Sequence, residues 1–277
     1  MAVVWLPRPC AGAVLDWDAL AWTAGDNDGS SPYNVGPYQA MITVAYVSEP
    51  GTVDSSDGST LYPRLSTWAS LGNEKALNVW MNATTDNGSA AYVQIEIALN
   101  AAVSGITFTL ADIDAGGAWD GQRYANWQDV VVVSAFQDGV RRQITGTDFD
   151  PTPSYGRDTD GNDYSSSSLD LSLYGTGSAA ESDPSGNIRV RITDPADRVV
   201  IRYSPGGMDE RRGRQWYRYE DGLPGAGPAD PDGQRLVIGD ILLPDGVLVP
   251  EPSTGVLLTA GALAFATARR RRRSAAA

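Results

Sequence analysis

Three aspartates, Asp112, Asp114 and Asp129, are the carboxylates best placed to act together. Asp112 and Asp114 end the run Gly105 to Asp114 ("GITFTLADID"), two residues apart and therefore on one face of an extended strand. Asp129 begins the next long run, Trp127 to Phe136 ("WQDVVVVSAF"), so all three can converge at one sheet edge. Hard carboxylate and carbonyl oxygens in that arrangement suit Ca²⁺. The competing reading is solvated strand-end aspartates in turns. A second acidic run, Asp158 to Asp163 ("DTDGND"), has its glycine too early for an EF-hand loop and no glutamate to close it, so it reads as a solvated loop. Ca²⁺ is the one cofactor these residues raise, and nothing in the sequence requires it.

Arginines and aromatics interleave in "RRGRQWYRYED" (Arg211 to Asp221). Aromatic faces stack on sugar rings and guanidinium forks bind carboxylates bidentately, so Arg214, Trp216, Tyr217 and Tyr219 are candidates for contact with an acidic polysaccharide. A packed strand with paired arginines explains the same residues. Hydrolytic chemistry has less support. The chain contains no histidine, which removes imidazole general bases, Ser-His-Asp and Cys-His catalysis and His-containing zinc sites. The single cysteine, Cys10, cannot form an internal disulfide. A glycosidase needs only two carboxylates at the correct separation, but the Glu-x-Asp-x-x-Glu signature of jelly-roll glucanases is absent. Glu96 has no acidic residue two or four positions away. The body is therefore expected to be non-catalytic.

The elements that must position these residues are strands. "QAMITVAYV" (Gln39 to Val47), "AYVQIEIAL" (Ala91 to Leu99), "NIRVRI" (Asn187 to Ile192), "DRVVIRY" (Asp197 to Tyr203) and "RLVIGDILL" (Arg235 to Leu243) alternate apolar and polar residues between turn-forming ones. The opening "VLDWDALAW" (Val14 to Trp22) reads the same way, with Leu15, Trp17, Ala19 and Ala21 on one face. With 30 glycines, 17 prolines and no sustained helical period, the expected fold is all-β: a two-sheet β-sandwich of jelly-roll type over residues 14–246. Long loops are expected at 146–186 and 204–233. Residues 1–13 are expected to be a residual or truncated export signal, because Ala11-Gly12-Ala13 fits a small-x-small cleavage site, although no basic region precedes Val3 to Leu6. The formal charge is −13, and setting aside the five arginines Arg269 to Arg273 leaves −18. Such a body repels nucleic acid and anionic membrane.

The last part of the sequence is organised differently. In "VPEPS" (Val249 to Ser253), Pro250 and Pro252 hold the backbone extended, so Glu251 presents one charge in a stiff frame of the kind a protease reads. Gly255 to Ala268 is apolar, but its 14 residues give a helix of about 21 Å. A bilayer core is about 30 Å thick, so the span would insert marginally. Arg269, Arg270, Arg271, Arg272 and Arg273 then form a cytoplasmic stop, which places the body outside.

This order of Pro-Glu-Pro, short apolar helix and arginine cluster closely resembles the PEP-CTERM sorting signal of exopolysaccharide-producing Gram-negative bacteria. The resemblance covers about 25 residues, from Val249 to Arg273. It implies recognition by an exosortase, a membrane-embedded cysteine protease, during a transient inner-membrane stop, followed by release to the cell envelope or extracellular matrix. The short helix 255–268 is accordingly expected to be transmembrane. Two alternatives stand beside a matrix protein with weak glycan contact: a secreted carbohydrate-active enzyme, and a permanently anchored sandwich adhesin.

Overall fold

Alternation carries directly into burial. In the strand Tyr38–Val47, Tyr38, Ala40, Ile42 and Val44 are buried while Gln39, Met41, Thr43 and Ala45 are exposed. In Ile188–Ile192, Ile188, Val190 and Ile192 point inward and Arg189 and Arg191 outward. These residues come from a computed structural model, which describes residues 12–29, 31–47, 53–54, 56–57, 60–83, 92–116, 127–158, 167–205 and 234–244.

Two antiparallel sheets contain most of them. The first comprises β1 (Ala13–Leu15), β4 (Val53–Asp54), β7 (Arg64–Trp68), β8 (Glu74–Ala83), β10 (Ile106–Ala111), β14 (Ile144–Asp148), β17 (Ile188–Ile192), β19 (Gln234–Ile238) and β20 (Ile241–Leu243). The second comprises β2 (Tyr33–Val35), β3 (Tyr38–Val47), β9 (Tyr92–Val103), β11 (Ala115–Gly116), β12 (Trp127–Gln137), β13 (Val140–Arg142), β15 (Tyr155–Asp158), β16 (Leu171–Gly175) and β18 (Ala196–Pro205). A small ribbon, β5 (Ser56–Asp57) with β6 (Thr60–Leu61), pairs with neither sheet and lies against β8.

In the first sheet β10 is central. It pairs with β17 on one edge, and β19 and β20 follow end to end along the other. β8 continues from β19, and β1 pairs with β20, Ala13 opposite Leu243. The second sheet runs β15-β16-β12-β18-β9-β3-β2. The chain crosses between sheets repeatedly: β8 to β9, β9 to β10, β13 to β14, β16 to β17 and β17 to β18 each change layer. The inward faces share one core. Phe108, Leu110 and Val190 of the first sheet belong to the same apolar cluster as Ile42, Ile95, Val133 and Ile201 of the second. Each such side chain contributes about 1.5–3 kcal/mol when fully buried. A smaller cluster of Trp68, Ala76, Ala111 and Val237, with Leu71 against it, covers part of the first sheet's outer face.

Three expectations need correction. "VLDWDALAW" is not one strand, because β1 stops at Leu15 and Trp17–Ala19 form a 3₁₀ turn capped by Asp16, which accepts from the Asp18 N–H. Leu15 and Trp17 are buried as the alternation predicts, but Ala19 and Ala21 are exposed. The Trp17 indole N–H donates to the Gly239 carbonyl at 2.9 Å, anchoring the turn to the segment between β19 and β20. Ala13, assigned to the export signal, is buried and paired in β1; residues 1–11 lie outside the described residues. The interval 146–186 is not a loop throughout, since it supplies β15 and the fully buried β16. Among the described residues helix is confined to short 3₁₀ turns, and none is long and apolar enough to cross a membrane. The expected transmembrane helix 255–268 and most of 204–233 lie outside the described residues.

Candidate functional site

Asp112, Asp114 and Asp129 do meet at one end of the sandwich. β10 ends at Ala111, and Asp112 takes a left-handed backbone (φ 67°), a conformation that aspartate tolerates better than most residues. That turn carries Ile113 and Asp114 inward, where both are buried. The Asp114 N–H donates to Asp129 Oδ2 at 3.0 Å, and the Asp129 N–H donates back to the Asp114 carbonyl at 2.9 Å. Tyr203, fully buried on β18, donates its hydroxyl to Asp129 Oδ1 at 2.7 Å. The Ala179 N–H donates to Asp114 Oδ2 at 2.8 Å, and the Ser154 hydroxyl donates to the Ile113 carbonyl at 2.8 Å. Gly175 is required beside this turn, because a Cβ there would overlap the Asp114 carbonyl.

Burial and the neighbouring Asp114 charge push the Asp129 carboxyl well above the usual aspartate range. Burial, reinforced by the Asp129 charge, likewise raises Tyr203. Asp112 is pushed up to about 7, first by burial and then by Asp114, with Arg235 opposing. Arg235 lies over the Trp68 ring at 4.9 Å and donates to Glu181 at 3.0 Å.

The arrangement is a hydrogen-bonded clasp. Both Asp129 oxygens and Asp114 Oδ2 already accept from protein donors. Among the described residues no group of three or more Asp, Glu, Cys or His could hold a metal ion. The spacing thus brings the three candidates into one neighbourhood without aiming them at one centre. Tyr203 and Ala179, which complete the clasp, carry no sequence signal, since their approach depends on strand order.

A second feature lies on the outward face of the second sheet. Gln94 and Glu96 of β9, Arg198 and Arg202 of β18, and Ser134 and Phe136 of β12 line a groove of about 270 Å³. Cross-strand register puts Val200 beside both Ser134 and Glu96, and Arg202 beside Gln94. Arg198 lies over the Phe136 ring at 4.4 Å and Arg202 over Tyr92 at 4.4 Å. The alternation of "DRVVIRY" shows both arginines pointing outward; their aromatic partners come from other strands and escape a local reading.

The remaining sequence candidates, Arg214, Trp216, Tyr217 and Tyr219, lie outside the described residues, as do Thr159 to Asp163; Asp158 closes β15. So do Pro250, Glu251, Pro252 and the arginines 269–273. For that segment the comparison with known families decides. The profile of the PEP-CTERM protein-sorting motif matches residues 248–273. The tail is a PEP-CTERM sorting motif. A PEP-CTERM motif marks an exported protein, bound for the cell envelope or extracellular space and sorted by an exosortase. No curated protein and no solved structure matches the chain, so the PEP-CTERM match speaks for the tail and not for the sandwich.

Proposed function

We propose that this is a non-catalytic protein of the cell surface or extracellular matrix of a Gram-negative-type bacterium. It is held briefly in the inner membrane by Gly255 to Ala268, with Arg269 to Arg273 inside, and cut by an exosortase close to Pro250-Glu251-Pro252. The observation that carries the reading is the motif match at 248–273. The span supports a transient stop over a lasting anchor, because a helix shorter than the bilayer core is poorly matched to it. The released body leaves with its full acidity and is suited to a hydrated exopolysaccharide matrix. We also assign the sandwich to the jelly-roll type, supported by the repeated crossing of the chain between sheets.

The test is the C-terminal mass of the extracellular form. A mass ending near residues 250–252 supports the reading, and one that retains the arginine run refutes it. Glu251→Ala should leave the uncut form in the membrane fraction. A secreted carbohydrate-active enzyme is the second reading, favoured by Glu96 and Asp170, which line the same groove. Asp170 is engaged by Arg141 there, which suits a structural carboxylate better than a proton donor. Reducing-end release from polysaccharide, lost in Glu96→Gln, would establish the enzyme instead.

A further inference from the structure

Aromatic stacking fixes the plane of a guanidinium while leaving its N–H edge uncommitted. The Arg198 and Arg202 guanidiniums each lie over an aromatic ring, Phe136 and Tyr92, with their central carbons 4.4 Å from the ring centroids. Among the described residues neither forms an ion pair, whereas Arg141 at the groove's edge is paired with Asp170. Two ring-backed guanidiniums therefore stand four residues apart on one face of β18, about 13 Å at ~3.3 Å per residue. Between them, across Val200, sits Glu96, with Gln94 next along β9 and Ser134 in the floor.

That mixture selects among anions. Glu96 would repel a ligand made only of negative charge, such as a bare phosphate, but it accepts hydrogen bonds from hydroxyls. Gln94 and Ser134 add donors and acceptors suited to the same groups. A chain bearing carboxylates at intervals, with hydroxyls between them, satisfies the forks and Glu96 together. We propose that this groove is a binding site for an acidic, uronate-type polysaccharide. It is separate in sequence from the arginine-aromatic run 211–221. Three guanidiniums face two carboxylates here, on a body whose overall charge is strongly negative, so the groove is a local exception to the protein's acidity.

The ligand class rests on the reading of the body as an exported protein that meets exopolysaccharide; the groove itself does not. Calorimetric titration of the full-length chain in detergent with a hexameric oligogalacturonate tests it. Its methyl ester, monomeric galacturonate, a neutral hexaose and inorganic phosphate serve as comparisons. The oligouronate should bind, and the ester, monomer and neutral chain should each bind about tenfold more weakly or worse, because each loses at least one charge-assisted pair. Arg202→Gln, at an exposed position, should weaken oligouronate binding about tenfold. Arg202→Lys should not restore it, since an ammonium has no planar fork. Absence of binding, equal binding of the methyl ester, phosphate binding as tight as the oligomer, or an unchanged Arg202→Gln variant would each overturn the site. None of these results would alter the C-terminal mass, so failure of the groove and failure of the sorting reading are separately visible.

Discussion

Replacing Asp112 by asparagine is expected to stabilise the protein above neutral pH. Asparagine keeps the size of the side chain and is equally at ease at the left-handed φ of 67°. What it removes is a carboxyl whose pKa rises from 3.8 to about 7 on folding, through burial first and the Asp114 charge second. Between those two values the folded protein holds a proton that the unfolded chain has released. Stability from this group is therefore fully present below about pH 4 and is lost as pH climbs through about 7. Each pKa unit corresponds to about 1.36 kcal/mol, so the ionised side chain costs up to about 4 kcal/mol at pH 8. Asp112 keeps some contact with water, and screening lowers that ceiling. A gain of at least about 1 kcal/mol, or a rise in melting temperature of about 2–4 °C per kcal/mol, is the expected result at pH 8. At pH 4 the two proteins should unfold alike, and the variant should show a shallower decline between. Urea titrations at pH 4, 6 and 8 measure this. An unchanged slope, or a variant less stable at pH 8, refutes the reasoning. The latter is also what a Ca²⁺ site built on Asp112 would produce.

Tyr203→Phe leaves Asp129 Oδ1 buried without its donor and should cost about 1–3 kcal/mol, read by chemical denaturation. Its effect should grow with pH, as the loss of the hydroxyl pushes the Asp129 carboxyl still higher. Gly175→Ala forces a methyl into the Asp114 carbonyl and should destabilise more than Tyr203→Phe, with the melting temperature as the readout. Because protein donors fill the clasp, adding Ca²⁺ or EDTA should leave the melting temperature unchanged; a clear rise with Ca²⁺ would reinstate the metal reading. Neutral replacements of Arg269 to Arg273 should weaken the membrane stop and yield exported but uncut protein, seen as a heavier C-terminus by mass spectrometry.

Strands were legible wherever one face is core and the other solvent. Val93, Ile95 and Ile97 against Gln94 and Glu96, or Ile188 and Val190 against Arg189, state their own orientation. Trp17 misleads for the opposite reason: its spacing from Leu15 fits a strand, but the Asp16 cap and the long-range bonds of Trp17 to Gly239 and Asp240 hold a 3₁₀ turn there. β16 was hidden because Leu171, Ser172, Leu173 and Tyr174 are all buried, so no alternation marks it among its Ser- and Asp-rich neighbours. The three aspartates declared their proximity through position at strand ends. Their role did not show, because it depends on Tyr203 and Ala179, 74 and 65 residues away in sequence. The tail was readable without any structure, since its information is an order of chemical types along a line.

The pairing of β1 with β20 has a consequence for timing. Ala13 to Leu15 have no strand partner until Ile241 to Leu243 exist, although β1 is the first of these strands to be synthesised. That edge can therefore close only once nearly the whole sandwich has been synthesised. Residues 244–247 alone separate its last strand from the sorting motif. Closure of the fold and arrival of the cleavage signal thus fall within the same short interval of chain. A body released before that moment would lack its final strand, whereas one released at the motif carries every residue the first sheet needs.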